Sequence, residues 1–211
     1  MYNGYDLFVS QLENTCVEFP NLKIKSVEDK KYLKGVIDIP NSDKSFLIEI
    51  HYKDGFPYRF PKLFEVGGDI PCGSDWHKYS DSSCCITVEP DEILKCKIGI
   101  SLSTFVNNEV IPHLANQLHR KITGKYLNEY SHHKEGLFEF FSELMKTTNK
   151  KLWCEYVLCS FGKKKINIAR NEKCFCGSGI KFKKCHNVIF NKIREIGEKN
   201  MSNYLKEMEL I

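Results

Sequence analysis

Apolar residues recur with two different periods along the first part of the chain. Tyr5, Phe8, Leu12 and Cys16 are spaced for one face of a helix, which predicts an amphipathic first helix ended by Pro20. Three segments follow in which apolar and polar residues alternate, as is typical of strands. Their apolar positions are Leu22 and Ile24, then Leu33, Ile37 and Ile39, then Phe46, Ile48, Ile50 and Tyr52. Short polar turns join them, so we expect an antiparallel meander.

The pattern continues with a fourth strand and a group of helices. Pro57 and Pro61 exclude a central strand between them, and residues 62–66 predict a strand that ends at Gly67-Gly68. A helical stripe over 102–118 predicts a helix that Pro112 kinks or divides, with a stop at Gly124. A second stripe covers 137–145. The predicted fold class is α+β, with helices packed on one sheet.

Between the fourth strand and the helices lies a polar loop with unusual chemistry. Residues 75–86 bring Trp76, His77, Cys84 and Cys85 together among serines and aspartates that favour turns. A thiol on such a loop is partly exposed and near a histidine, which favours the reactive thiolate. The alternative is that both cysteines are small core residues at the end of a strand.

Basic and acidic residues are distributed unevenly along the chain. Residues 149–211 hold 14 basic and 6 acidic residues, whereas the first 148 hold 17 and 21, which argues for two modules. No apolar run approaches membrane-spanning length, and the first residues lack a basic leader, so we expect a cytoplasmic protein without a membrane partner. The ten cysteines are then better explained as metal ligands, a nucleophile and core residues than as disulfides.

The basic module contains a metal-ligand pattern. Cys174, Cys176, Cys185 and His186 offer three thiolates and one imidazole with the spacing C-x-C-x8-C-H, which suits a structural, tetrahedral Zn²⁺ site. A segment this short cannot bury enough apolar surface to fold unaided, so the metal must stabilise it. The residues resemble the SEC-C motif of the SecA tail. The alternative is an unfolded basic tail.

Cys154 and Cys159 are predicted to be core residues. No nucleic-acid motif is present, so nucleic acid is not expected as a partner.

Residues 1–148 resemble the ubiquitin-conjugating (UBC) fold, and more closely the prokaryotic ubiquitin-conjugating-like enzymes of bacterial anti-phage operons. The resemblance rests on the order of elements, the Phe56-Pro57 to Pro61 turn, and the stretch from His77 to Asp81-Ser82-Ser83-Cys84-Cys85-Ile86. Further matches are Gly124, Tyr130-Ser131-His132 and Gly136. The resemblance implies that Cys85 is a nucleophile that carries an acyl group as a thioester. Cys84 would then point into the fold.

The same resemblance gives His77 an architectural role, bonded to the loop backbone, although a general base is the other interpretation. Eukaryotic members have His-Pro-Asn where this chain has His77-Lys78-Tyr79. Tyr79, Ser83 or backbone N–H groups would have to stabilise the oxyanion instead.

Four segments and two hypotheses follow. The segments are a UBC-like domain (1–148), a connector (149–170), a zinc motif (171–187) and a C-terminal helix (188–211). The first hypothesis is a transferase. The resemblance implies that it works in an anti-phage system of the cyclic-oligonucleotide (CBASS) type and that its cargo is the C-terminus of a cGAS-like nucleotidyltransferase. The second is an inactive UBC-fold adaptor whose zinc tail binds a protein partner.

Overall fold

The computed structural model describes residues 3–127 and 129–211 and has a mixed α+β architecture with one four-stranded sheet. One helix is followed by four consecutive strands and then by the remaining helices, as the sequence predicts. In chain order they are α1 (Gly4–Glu18), β1 (Leu22–Val27), β2 (Lys30–Asp38), β3 (Ser45–His51), β4 (Lys62–Glu65), α2 (Glu89–Cys96), α3 (Leu102–Phe105), α4 (Ile111–Thr123), α5 (His133–Met145), α6 (Lys150–Ser160), α7 (His186–Ile196) and α8 (Glu198–Glu207). Two 3₁₀ turns lie at Ser74–Trp76 and Phe182–Lys184, and a π-helical turn at Val106–Val110.

The sheet is the antiparallel meander that the period-two segments predict, with strand order β1-β2-β3-β4. Leu33 lies opposite Ile50, and Ile37 opposite Phe46, so the apolar faces of β2 and β3 fall on the same side of the sheet. Edge strand β1 differs from the prediction, because Leu22 is buried but its predicted face partner Ile24 is exposed. The first helix begins as expected, since the side chain of Asn3 accepts a hydrogen bond from the Asp6 N–H.

The chain forms two compact units, each with its own core. The first unit comprises Met1–Thr87 and Lys95–Glu129, and the second Val88–Leu94 and Tyr130–Ile211. In the first, Phe8 and Leu12 of α1 share a core with the inner face of the sheet and with Leu102 and Phe105 of α3.

The second unit is helical and includes α5, which the sequence analysis assigned to the first predicted domain. Phe141 and Met145 of α5 share its core with Trp153 of α6 and with Ile193 of α7. The compact units therefore follow other boundaries than the predicted domains, and independent folding of residues 1–148 stays a prediction. Cys154 and Cys159 are partly buried against this core, in agreement with a packing role.

The ends of the helices agree with the sequence expectation at some positions and differ from it at others. Pro112 lies in the first turn of α4, which follows α3 after the π-helical turn, so Pro112 begins a second helix, one of the two predicted alternatives. Gly124 ends α4 at a φ of 78°, as predicted. Gly197, at a φ of 94°, divides the predicted C-terminal helix into α7 and α8. The short helix α2 was not predicted.

Within the described ranges 3–127 and 129–211, none of the helices has the length and apolar composition that crossing a bilayer would require.

Candidate thiol site and candidate metal centre

The loop that follows β4 is held by backbone hydrogen bonds. Isolated bridges pair Phe64 with Ser83, and Lys78 with both Gly73 and Cys84. The Cys84 N–H donates to the Leu63 carbonyl at 2.8 Å, which attaches the loop to β4. The predicted irregular loop is thus a small, ordered extension of the sheet.

The two adjacent cysteines have different environments. Cys84 packs against the core of the first unit, and burial raises the pKa of its thiol to about 12. Cys85 is partly exposed, and its sulfur lies 3.9 Å from the Thr87 carbonyl oxygen. Cys84 thus packs against the core, as predicted, although both cysteines are only partly buried. The nucleophilic role of Cys85 stays a prediction.

Tyr79 is the tyrosine that interacts with Cys85. Its side chain is 57% exposed. The negative charge of a nearby Cys85 thiolate, followed by burial and by hydrogen bonding towards Cys85, raises the pKa of Tyr79 to about 12. Tyr79 therefore stays a protonated donor at neutral pH, which is what stabilisation of a thiolate or oxyanion requires.

His77 acts on the loop through its backbone. It ends the 3₁₀ turn Ser74–Trp76 in the left-handed region, at φ 46° and ψ 35°, and its carbonyl accepts the Cys85 N–H at 2.8 Å. Its ring is buried, with Nε2 3.6 Å from Glu129 Oε2 and an edge-on contact with Tyr126. This geometry agrees with the architectural interpretation.

Sequence reasoning missed the buried carboxyl that faces His77. Glu129 also approaches His113, with Oε1 3.8 Å from Nδ1. Burial raises the pKa of Glu129 to about 8, and burial lowers the pKa of His113 to about 4. Because Glu129 lies far from His77 along the chain and follows α4, no local pattern could have indicated this cluster.

A second missed feature is a buried ion pair between Lys78 and Glu65, which are 3% and 0% exposed. Lys78 Nζ also donates to the Ile70 carbonyl at 2.9 Å. The Glu65 carboxylate accepts the N–H groups of Asp69 and Ile70 at 3.2 and 3.3 Å. A polar residue on a polar loop gives no sequence signal that it will be buried.

The turn before the cysteines is closed by Asp81. One carboxylate oxygen accepts from the Ser83 N–H and hydroxyl, and the other from Lys62 at 2.9 Å. The Ser83 side chain and the Lys62 ammonium hold the pKa of Asp81 well below its usual range. The turn needs this support because Ser82 has a φ of 67°.

In the second unit the four predicted metal ligands converge. One ligand atom each from Cys174, Cys176, Cys185 and His186 lies within 4.8 Å of the others. The sulfurs of Cys176 and Cys185 are 3.6 Å apart, and His186 Nδ1 lies 3.2 Å from the Cys174 sulfur and 3.4 Å from that of Cys185. Tetrahedral Zn²⁺ would set S–S edges of about 3.8 Å and S–N edges of about 3.6 Å. The donor set and its spacing fit a metal ion of this kind.

Neighbouring groups orient these ligands. His186 Nε2 lies 2.9 Å from the Tyr156 hydroxyl, which leaves Nδ1 to face the metal. Burial acts to raise the pKa of Cys176, but hydrogen bonds from Ser178 and from the other two cysteines outweigh it, so the pKa falls to about 7. Gly177 and Gly179 turn the backbone at φ 77° and 71°.

Comparison with known families gives one match, to the SEC-C motif, over residues 170–187. The motif is a zinc-binding type and covers the four converging ligands. A search of curated proteins found no match. A search of solved structures found none.

Proposed function

We propose that the first unit is a ubiquitin-conjugating-like cysteine transferase with Cys85 as its nucleophile. The observation that carries the proposal is the position of Cys85, whose N–H is held by the His77 carbonyl at 2.8 Å beside Tyr79, while the adjacent Cys84 packs against the core. The helix, four-stranded meander, thiol loop and following helices occur in the order that the resemblance implies.

In the proposed reaction the Cys85 thiolate attacks the carbonyl carbon of an acyl group already activated as a thioester or acyl phosphate. A C–S bond forms and the activating group leaves with its electron pair. An amine then attacks the thioester, the C–N bond forms, the amine loses a proton, and the thiolate is released. Tyr79 donates to the negative charge on sulfur or oxygen, and His77 holds the loop through its carbonyl.

The proposed setting comes from the resemblance to anti-phage enzymes. The acyl group would be a protein C-terminus, with that of a cGAS-like nucleotidyltransferase in a CBASS operon as the leading cargo. A separate activating protein would supply it. The proposed metal of the second unit is a structural Zn²⁺ held by Cys174, Cys176, Cys185 and His186, where it would cross-link the SEC-C motif.

The test is adduct formation in the native host. Tagged protein, isolated under non-reducing conditions, should carry a thiol-sensitive protein adduct visible by intact-mass analysis. Cys85→Ala should abolish the adduct, Cys84→Ala should retain it, and Cys85→Ser should trap a thiol-resistant oxyester. Loss of the adduct in the Cys84 variant alone would move the nucleophile by one residue.

The second candidate is an inactive adaptor whose SEC-C motif binds a protein. It is favoured by Phe175 and Ile180, which are 47% and 49% exposed beside the metal ligands. The same experiment separates the two functions. An adaptor would retain its partner in the Cys85→Ala variant and would show no covalent adduct in the wild type.

A further inference from the structure

The ion pair of Lys78 and Glu65 is expensive for a fold to bury, because both charges lose their hydration. It persists here because each charge is satisfied: Lys78 donates to Glu65 and to the Ile70 carbonyl, and Glu65 also accepts two backbone N–H groups. Apolar side chains of similar volume would fill the same space at lower cost. The ion pair must therefore be explained by what it holds in place.

Lys78 stands between the two residues that contact Cys85. The carbonyl of His77 accepts the Cys85 N–H at 2.8 Å, and Tyr79 lies within electrostatic reach of the Cys85 thiol. The backbone of Lys78 itself bridges to Gly73 on one side and Cys84 on the other. Whatever fixes Lys78 therefore fixes both neighbours of Cys85, namely the His77 carbonyl at its N–H and Tyr79 beside its sulfur.

Backbone strain on either side indicates that the loop needs such an anchor. His77 and Ser82 have φ angles of 46° and 67°, which non-glycine residues adopt only when their surroundings impose it. Ser82 is held through the Asp81 turn, whereas His77 directly precedes the anchored Lys78.

We propose that Lys78 is a positioning residue for Cys85, and that its ion pair with Glu65 aligns the thiol with the Tyr79 hydroxyl. The inference rests on the proposed function, in which Cys85 is the reacting thiol. Its test uses a small alkylating reagent, so it reads the thiol itself rather than any cargo.

The experiment measures the alkylation rate of Cys85 by iodoacetamide across a pH series, by peptide mass spectrometry of the full-length protein. Tyr79→Phe should slow the wild-type rate at pH 7 by about tenfold, because a hydrogen bond to a charged sulfur is lost. The double variant Lys78→Met/Glu65→Leu replaces the ion pair with apolar groups and should keep the fold. It should show the same slowing and the same shift of its pH profile to higher pH.

The decisive comparison adds Tyr79→Phe to the double variant, where it should cause no further change because the alignment is already lost. The matched control is Lys34→Met/Glu49→Leu, which removes an ion pair of 2.9 Å elsewhere on the sheet and should leave the Cys85 profile unchanged. If circular dichroism shows that the apolar double variant is unfolded, Glu65→Gln replaces it, with the same expected shift.

A folded variant without the ion pair whose Cys85 profile matches the wild type would overturn the inference. An equal effect of Tyr79→Phe with and without the ion pair would overturn it too. The proposed function fails separately, through the absence of a Cys85 adduct in the native host, and the alkylation results do not depend on that outcome.

Discussion

The two cysteine sites of this chain are organised by different forces. The thiol loop is fixed by the polypeptide itself, through bridges to β4 and the buried pair of Lys78 and Glu65. The four ligands of the SEC-C motif instead crowd three sulfurs and an imidazole nitrogen within 4.8 Å of one another. Thiolates at that distance repel unless a cation lies between them. The comparison suggests that the first site is preorganised by the fold, whereas the second would be organised by the metal ion proposed for it.

The pKa values of the cysteines also differ between the two sites. Burial among apolar groups raises the pKa of Cys84 to about 12 and keeps that thiol neutral. At Cys176, hydrogen bonds outweigh the opposing effect of burial and lower the pKa to about 7. The first unit keeps one cysteine neutral beside the proposed nucleophile, whereas the second unit favours the thiolate form of Cys176.

Of the predicted effects, the effect of metal removal on the second site should be the largest. Strong chelation should abolish hydrogen-exchange protection over residues 170–187, because a structural Zn²⁺ contributes on the order of 10 kcal/mol to motifs of this size. The sheet of the first unit should keep its protection and Cys85 its alkylation rate.

Cysteine variants provide the control for that experiment. Cys174→Ala should lower the metal content from one ion per chain, measured by native mass spectrometry, whereas Cys154→Ala should not change it. Loss of the Cys85 profile on chelation, with the sheet still protected, would mean that the two sites are not organised separately.

This difference also decides what the sequence could predict. All four metal ligands lie between Cys174 and His186, so spacing and donor type were sufficient to identify them. The meander was equally visible, since period-two alternation is set by neighbouring residues. Both predictions rest on information that is local along the chain.

The thiol loop depends on residues that are distant in sequence. Its side-chain partners include Glu65 from β4, Gln117 from α4, whose amide donates to the Trp76 carbonyl at 3.1 Å, and Glu129 beyond α4. Patterns could identify Cys85, His77 and Tyr79 as candidates but could not show what buries Lys78. The membership of α5 in the second unit was hidden for the same reason, because its apolar stripe fits a partner in either unit.

The contact between Tyr156 and His186 is expected to have the next largest effect. Tyr156→Phe removes the hydroxyl that orients the imidazole through Nε2, and loss of such a partner typically weakens metal binding by about 10- to 100-fold. Competition with a chromophoric chelator would measure the affinity. Tyr126→Phe is the matched control, since Tyr126 donates to the Asp75 carbonyl beside the thiol loop. It should leave metal affinity unchanged.

The buried cluster of the first unit predicts a pH effect of intermediate size. The folded pKa of Glu129, about 8, lies above its ordinary value of 4.5, so its contribution to stability is present at low pH and is lost as pH rises towards 8. His113, with a folded pKa of about 4 against 6.5, contributes stability above 6.5 that is lost as pH falls. Of these two groups, Glu129 has the larger effect between pH 6.5 and 8, and through it the first unit should weaken by about 1 kcal/mol.

Glu129→Gln should remove that decline, because an amide does not ionise. Urea unfolding at the two pH values, read by hydrogen exchange of the sheet amides, would measure it. Glu13→Gln changes an exposed glutamate of α1 and should preserve the decline. A decline of equal size in both variants would assign the pH dependence to another group.

The smallest expected effect is that of the hydroxyl beside the metal ligands. Ser178 Oγ lies 3.6 Å from the Cys185 sulfur and accepts the Ile180 N–H at 3.3 Å. Both contacts are long, and the hydroxyl is one of several groups that stabilise the Cys176 thiolate, so Ser178→Ala should weaken metal binding only a few-fold. The Ser178 N–H, which also stabilises the Cys176 thiolate, is retained in the variant. A loss as large as that of Tyr156→Phe would show that the polypeptide around the motif, and not the metal alone, organises the second site.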